Sequence, residues 1–280
     1  MTQETEKNDS LKVAIIQLCS KEDVDANLRQ LQELIEQASA QGAEFIALPE
    51  NCLWLSPDSN AIAPHLFPDS AAFHALRTLA RANGIYLLIG SLPEASHEEG
   101  KVFNTSVLLG PNGDIEASYR KCFLFDVDLK GRESHLESER VTPGNDLTMG
   151  RVNGHLLGMS ICYDLRFPEL YRHLTEKGAS MLSIPAAFTS TTGRDHWEIL
   201  LRARAIENQC FVIAPDQWGH HGGKRRSYGR SMIISPWGIV LAQLPDGPGY
   251  AIAELKFEQL VKLRNELPCL THKRNELFEK

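Results

Sequence analysis

No two cysteines in this chain stand in a C-x-x-C pair: Cys19, Cys52, Cys122, Cys162, Cys210 and Cys269 are scattered singly through 280 residues. That spacing implies neither a zinc framework nor a disulfide scaffold, and it fits free thiols in a reducing compartment. No stretch has the unbroken apolar length of a membrane span, and the polar segment Met1–Ser10 lacks the apolar core of a signal peptide. A cytoplasmic protein with no membrane partner is expected. Positive charge is also short: 29 Lys and Arg face 36 Asp and Glu, a formal net charge of −7. A polyanion calls for a basic face, so nucleic acid is not an expected partner and small molecules are. There is no internal repeat, and the Gly154-x-x-x-Gly158 spacing carries no P-loop lysine to support nucleotide binding.

What is present is a globular composition, 42% hydrophobic and 23% charged, long enough for one large core. We read residues 11–256 as the main domain, 1–10 as a disordered segment, and 257–280 as a charged, helix-like extension that embraces a second subunit. Residues 11–18 form a β-branched apolar run and read as an interior strand. A helix follows over 24–40, with Asp23 as N-cap and Gly42 as its stop. A strand at 45–48, a helix at 70–83 and a strand at 85–89 complete a βαβαβ pattern. The pattern then changes to hairpins, one turning at Pro111-Asn112-Gly113-Asp114 and another at Asn153-Gly154. Between them, Cys122 to Asp146 lacks a clean period and reads as an ordered functional loop. Strands at 180–184 and 210–214 flank a helix over 195–208, and two further turns separate three closing strands. Helix-linked strands combined with hairpins predict an α/β layered sandwich of two packed sheets with helices outside.

One stretch concentrates the chemistry. His155 to Ile161 reads as a buried strand, and Pro168 suits the first turn of a helix ending before Gly178, so Cys162 stands at a sharp strand-to-helix corner. Position alone leaves open whether Cys162 is a core thiol or a displayed nucleophile. Glu50 and Lys121 share its address, each at the end of a strand. A thiol near pKa 8.5 is mostly protonated at neutral pH and needs a base or a nearby cation, roles that Glu50 and Lys121 can fill. Lys121 and the Tyr163 backbone N–H could meet the oxyanion that attack creates. A carboxylate that both accepts and donates a proton near pH 7 needs a raised pKa, which a dry pocket could supply to Glu50.

These residues resemble the nitrilase superfamily of carbon-nitrogen hydrolases from about Val13 to Leu255. The Glu-Lys-Cys triad of that family matches Glu50 in Leu48-Pro49-Glu50-Asn51, Lys121 in Tyr119-Arg120-Lys121 and Cys162 in Ile161-Cys162-Tyr163-Asp164. Its second glutamate matches Glu137 in Leu136-Glu137-Ser138. The resemblance implies a four-layer α-β-β-α sandwich of two mixed sheets, a homodimer or higher homo-oligomer paired across the helix after the cysteine, and no cofactor or metal. It also implies hydrolysis of linear amides through a cysteine thioester. Phe188-Thr189-Ser190-Thr191-Thr192-Gly193 and Leu201-Arg202-Ala203-Arg204 resemble the branch holding omega-amidases and deaminated glutathione amidases. Gly219-His220-His221 with Lys224-Arg225-Arg226-Ser227-Tyr228-Gly229 is more similar to the latter. Such substrates carry carboxylates, for which Arg166 is a candidate anchor, with Phe188 and Thr192 shaping the pocket; the alternative is that Arg166 and Arg204 make structural ion pairs. Lys224 to Arg226 is a solvated loop or an acidic-tail reader. Phe123 departs from the histidine that often follows the lysine in these relatives.

Other classes compete. A cysteine protease would use His155, His173 or His196 as base, without any family signature around them. A metal hydrolase fits poorly, because His220 and His221 are adjacent rather than spaced to share a helix face. Ser160 lies inside the strand and lacks the following glycine of a serine-hydrolase elbow. A non-catalytic binding protein that kept the fold is the most distant reading.

Overall fold

The computed structural model describes residues 9–58, 61, 63–129 and 133–277. Residues 1–8 of the expected disordered segment lie outside these. In β1 (Ser10–Gln17), Val13 and Ile15 enter one apolar core while Ala14 and Ile16 enter another, all fully buried. A strand covered on both faces reads as a continuous apolar run, which is how it stands in the sequence. β2 (Phe45–Ala47) divides its side chains in the same way. β1, β2 and β3 (Tyr86–Ala95) pair in parallel, connected by α1 (Val24–Ala40) and α2 (Ala71–Asn83). Asp23 caps α1 by accepting the Ala26 N–H at 2.9 Å, and Ser70 caps α2 through the Phe73 N–H at 3.1 Å.

β4 (Val102–Leu109) and β5 (Ile115–Arg120) add antiparallel strands on one edge, so the sheet is mixed. The segment after Lys121 contains a short hairpin, β6 (Asp126–Leu129) with β7 (Glu133–Leu136), and a 3₁₀ turn at Glu137–Glu139. The second sheet starts with the hairpin of β8 (Met149–Val152) and β9 (His155–Met159), turning at Asn153 and Gly154, both at positive φ. α3 (Pro168–Glu176), β10 (Met181–Ser183), α4 (Ser190–Asn208) and β11 (Phe211–Ala214) follow. After the hairpin of β12 (Trp218–Gly222) and β13 (Arg225–Tyr228) come β14 (Met232–Ile234), β15 (Val240–Gln243) and β16 (Gly249–Lys256). The two six-stranded orders are β16-β1-β2-β3-β4-β5 and β15-β14-β11-β10-β9-β8.

Val13, Ile15 and Phe45 of the first sheet share a core with Leu157, Met159 and Leu182 of the second. Leu31 and Ile35 of α1, with Phe73 and Leu76 of α2, cover the other face of the first sheet. Leu170 and Leu174 of α3, with Trp197 and Leu201 of α4, pack with the second. The architecture is the expected α-β-β-α sandwich. α5 (Phe257–Glu266) folds back: Phe257 stacks on His155 with ring centroids 3.3 Å apart, and Arg264 donates to the Ala179 and Gln209 carbonyls. Among the described residues no helix is long and apolar enough to cross a membrane.

Two elements differ from expectation. α4 begins at Ser190 rather than 195, because Ser190, Thr191, Thr192 and Gly193 are weak helix formers and hide the first turn. The turn is held from outside, with Gly193 packed against Tyr228 so closely that a Cβ would collide. The β12–β13 hairpin is also unannounced, since three glycines interrupt its alternation; Lys224 occupies its turn.

Candidate active site

β2 delivers Glu50 through the turn Pro49-Glu50-Asn51, with Asn51 at φ 55°. This turn lies across β3 at Gly90, where a bulge between Ile89 and Leu92 shifts the register with β4. A Cβ on Gly90 would land on the Leu48 and Pro49 carbonyls, so only glycine lets the two backbones pass. Ser91 Oγ then accepts the Asn51 N–H at 2.9 Å. Gly90→Ala is therefore expected to cost about 1–3 kcal/mol of stability by overpacking and to displace Glu50. Urea unfolding together with a kcat measurement checks this; unchanged values for both would show that the close approach is not needed.

The Glu50 side chain is only 4% exposed. Its Oε1 accepts Asn104 Nδ2 at 2.8 Å and Lys121 Nζ at 3.1 Å, and its Oε2 accepts the Ala187 N–H at 2.8 Å. The Cys162 thiol lies close enough to this carboxylate to help lower its pKa. Lys121 leaves β5 with its Nζ held by both oxygens of Glu137, at 3.0 and 2.9 Å, while the Phe125 N–H donates to Glu137 Oε2 at 2.6 Å. The segment that looked aperiodic in sequence is thus what brings Glu137 to the lysine.

Cys162 opens a 3₁₀ turn, Cys162–Arg166, in a left-handed conformation at φ 49° that is costly for a residue with a Cβ. Its N–H donates to the Pro185 carbonyl at 2.9 Å. Asp164 fastens the corner: it accepts the Ile161 N–H and the Tyr119 hydroxyl at 2.8 Å on Oδ2, and the Phe123 N–H at 3.0 Å on Oδ1. Burial pushes the Asp164 carboxyl up to about 6 despite these donors. The N–H of Tyr163, in the first turn, has no intrahelical acceptor. Phe123 stacks on Phe167 at 3.7 Å between centroids, turned toward the aromatic cluster at this corner.

The charges differ from expectation in one respect. Burial alone would raise Glu50, but the Lys121 charge and the hydrogen bonds from Lys121, Cys162 and the Ala187 amide outweigh it, so its carboxyl is held below the ordinary range. The expected raised Glu50 pKa is corrected accordingly. Burial, and then the Glu50 charge, push the Cys162 thiol well up, with Lys121 and the Ala187 amide opposing. Lys121 is held well above its ordinary pKa because Glu137 and Glu50 overcome the cost of its burial. At rest the cluster is therefore an ionised base, an ammonium and a neutral thiol. Such a set can move one proton while presenting a cation to a developing oxyanion.

A cleft opens on Cys162, lined by Phe125, Tyr163, Ala187, Phe188, Thr189 and Thr192. Phe188 and Thr192, the expected pocket-shaping residues, both belong to this lining. Arg166 stands beside it, its guanidinium carbon 5.3 Å from the Phe188 ring centroid and 5.7 Å from that of Tyr163. Among the described residues it pairs with no carboxylate, its nearest polar contact being His196 Nδ1 at 3.3 Å. Arg204 is different: it pairs with Glu207 at 2.8 Å and donates to the Leu165 carbonyl. Ser160 is buried between Tyr171 and the Ser183 carbonyl. His221 bonds the Ser20 carbonyl and Ser227, and burial lowers it to about 4.

Sequence reasoning missed Gly90, Asn104, Asp164, Ala187 and Asp216. Asn104 carried a signal, since it opens the polar run Asn104-Thr105-Ser106 inside a strand that is apolar at both ends. Asp216, buried below the cleft, accepts the Phe188 N–H at 2.9 Å and the Gly229 N–H at 3.1 Å, and nothing in its neighbours announces that.

Residues 12–265 match the family described as carbon-nitrogen hydrolase. A deaminated glutathione amidase of Synechocystis is 42% identical over 263 residues, covering 93% of this chain and 97% of that protein. The human protein of the same name is 39% identical, covering 95% of this chain and 83% of that one. Among solved structures, Saccharomyces cerevisiae Nit3, described as a member of branch 10 of the nitrilase superfamily, has a TM-score of 0.82 at 30% identity over 92% of this chain and 94% of that one. The C. elegans NitFhit protein has a TM-score of 0.90 at 36% identity over 96% of this chain, which spans 66% of that longer one. The chain belongs to the carbon-nitrogen hydrolase family, in the amidase branch of the nitrilase superfamily.

Proposed function

We propose that this chain hydrolyses the amide bond of deaminated glutathione through a thioester on Cys162. The observation that carries the chemistry is the buried Glu50 carboxylate, held ionised by the Lys121 ammonium at 3.1 Å and acting on the Cys162 thiol. The substrate choice rests on the names of the relatives and on Arg166, a cation at the cleft without a carboxylate partner among the described residues.

Glu50 takes the thiol proton as sulfur attacks the amide carbon. That transfer is uphill before substrate arrives, since Glu50 is a weak base here and the thiol a weak acid. It becomes favourable as the negative charge moves onto the amide oxygen, where Lys121 Nζ and the Tyr163 N–H receive it. Glu50 passes the proton to the leaving nitrogen, the carbon–nitrogen bond breaks, and a thioester remains. Glu50 next takes a proton from water, whose oxygen attacks the thioester carbon. Sulfur leaves, recovers its proton, and the carboxylic acid departs. Glu137 keeps Lys121 in place, Arg166 holds the carboxylate of the acyl half, and Phe188 and Thr192 shape the wall around it.

We also infer a cytoplasmic homodimer. Ile199 and Ile206 of α4 are 69% and 50% exposed, and Trp237 and Ile239 beside the β14–β15 turn are 62% and 57% exposed. Gly238 abuts Ile206, so these side chains join into one apolar surface, and such surfaces mark contacts.

The substrate reading is tested by comparing kcat/KM on deaminated glutathione, α-ketoglutaramate and simple nitriles, with Cys162→Ala as the blank. Deaminated glutathione is expected to lead by about tenfold or more, the value of one charge-assisted contact. A lead of that size for α-ketoglutaramate would overturn the choice in favour of an omega-amidase.

A further inference from the structure

Two guanidinium groups near the candidate site are used by no step above. Arg225 lies on β13, two residues before Ser227, so the two share a strand face. Ser227 is buried against His221 at 2.9 Å, which turns Arg225 inward and leaves the intervening Arg226 exposed. Arg225 Nη1 donates to the Ser56 carbonyl at 2.9 Å, on the loop that follows Glu50. Burial pushes its pKa down, and the Arg140 charge does the same, while the charges of Glu50, Glu137 and Cys162 oppose them.

Arg140 closes the 3₁₀ turn that delivers Glu137, its N–H donating to the Glu137 carbonyl at 3.0 Å. Its Nε is buried without a hydrogen-bond partner among the described residues. Among the described residues neither arginine forms an ion pair with a carboxylate. A buried guanidinium donor with no acceptor, close to a second guanidinium, is costly in isolation. Around the reacting atoms Glu50 and Glu137 stand against Lys121, Arg140 and Arg225, so one positive charge is left over. A single ligand carboxylate would cancel it and satisfy the orphaned donor.

We propose that Arg140 and Arg225 form a second carboxylate subsite, which reads the leaving-group half of the substrate. The side follows from the proton's path. Glu50 must hand its proton to the departing nitrogen, so that nitrogen and what it bears lie toward Glu50 and Glu137, where both arginines are. Arg166 stands apart, by Tyr163 and Phe188, and takes the carboxylate of the acyl half. The enzyme then selects amides carrying an anion on each side of the scissile bond, a class that includes deaminated glutathione and excludes amides that release ammonia. This rests on the substrate reading above and deepens it.

The test compares deaminated glutathione with the same molecule amidated at its terminal glycine carboxylate. Wild-type enzyme is expected to prefer the free acid by roughly ten- to a hundredfold in kcat/KM, mostly through KM. Arg225→Gln and Arg140→Gln should each collapse that ratio by about tenfold or more, whereas Arg226→Gln, on the outer face of β13, should keep it. Calorimetric binding of both compounds to Cys162→Ala protein, with and without Arg225→Gln, reads the same preference without turnover. Thermal melting of each variant controls for folding. A wild-type ratio near one, or a ratio that survives both substitutions, overturns the subsite while turnover of the two compounds leaves the substrate reading standing. Absence of binding and turnover with both compounds overturns the substrate reading and the subsite together.

Discussion

Glu50→Gln is expected to lower kcat/KM by about 10²- to 10⁴-fold, the usual worth of a positioned general base, while making the Cys162 thiol more acidic. The two effects pull apart because Glu50 has two influences on the same proton. It is the acceptor that the reaction needs, and it is also a buried negative charge that, second only to burial, pushes the thiol up. Glutamine keeps the shape and an oxygen for Asn104 and Lys121 but removes both the basicity and the charge. Lys121 then acts on the sulfur with less opposition, and the thiol pKa falls. In wild-type protein, iodoacetamide alkylation of Cys162 should climb steadily between pH 5 and 8, since the thiol titrates above that window. In the variant the same curve should move to lower pH. A curve that stays in place, or moves up, would mean that the Glu50 charge does not act on the sulfur. Full turnover in the variant would hand the role of base to another residue, as a histidine-dependent protease requires.

How much of this could be read from the sequence depends on how local each cause is. Strands buried on both faces, such as residues 13–16, and helices with Asp23 or Ser70 at their caps carry their signals within a few residues, and their bounds in the structure fall within one or two of the expected ones. The strand-end address of Glu50, Lys121 and Cys162 is equally local, because Pro49 and the Cys162 corner mark where strands stop. What could not be read is whatever one segment imposes on another. Gly90 is an ordinary strand glycine until the Pro49 backbone crosses it. The first turn of α4 looks like a loop until Tyr228 packs on Gly193. Arg225 and Arg226 are one basic run in sequence, and only the pairing of β13 with β12 turns one inward and the other out. The direction of the Glu50 shift belongs to the same class. A dry pocket and a cation oppose each other, and the donors that tip the balance come from the end of β5, the Cys162 corner and the loop after β10.

Lys121→Met should be the most damaging substitution for the fold as well as for turnover. The methionine fits the space of the lysine stem, so the change isolates the charge. In wild-type protein the ammonium, 2% exposed, sits between Glu50 and Glu137, which are 4% and 18% exposed. Removing one member of a buried ion cluster leaves uncompensated charge and costs about 3–5 kcal/mol. The pH dependence gives the sign. Wild-type Glu50 is held below 4.5, so its contribution is present above that value and fades only as pH falls through its lowered pKa. Lys121 is held above 10.5, so its contribution persists at every pH below that and fades as pH rises past it. Wild-type stability from this cluster should therefore be level between pH 5 and 8. Without the lysine, burial is the dominant influence on Glu50, and its folded pKa rises above the unfolded value. A raised carboxyl favours the folded state below the unfolded pKa and loses that advantage as pH climbs through the folded one. The variant should accordingly be weakest at pH 8 and recover toward wild type at pH 5. Urea unfolding at both values measures the gap. A gap that does not narrow on acidification would show that the two carboxylates do not depend on Lys121, and the proton circuit drawn for Cys162 would lose its cation.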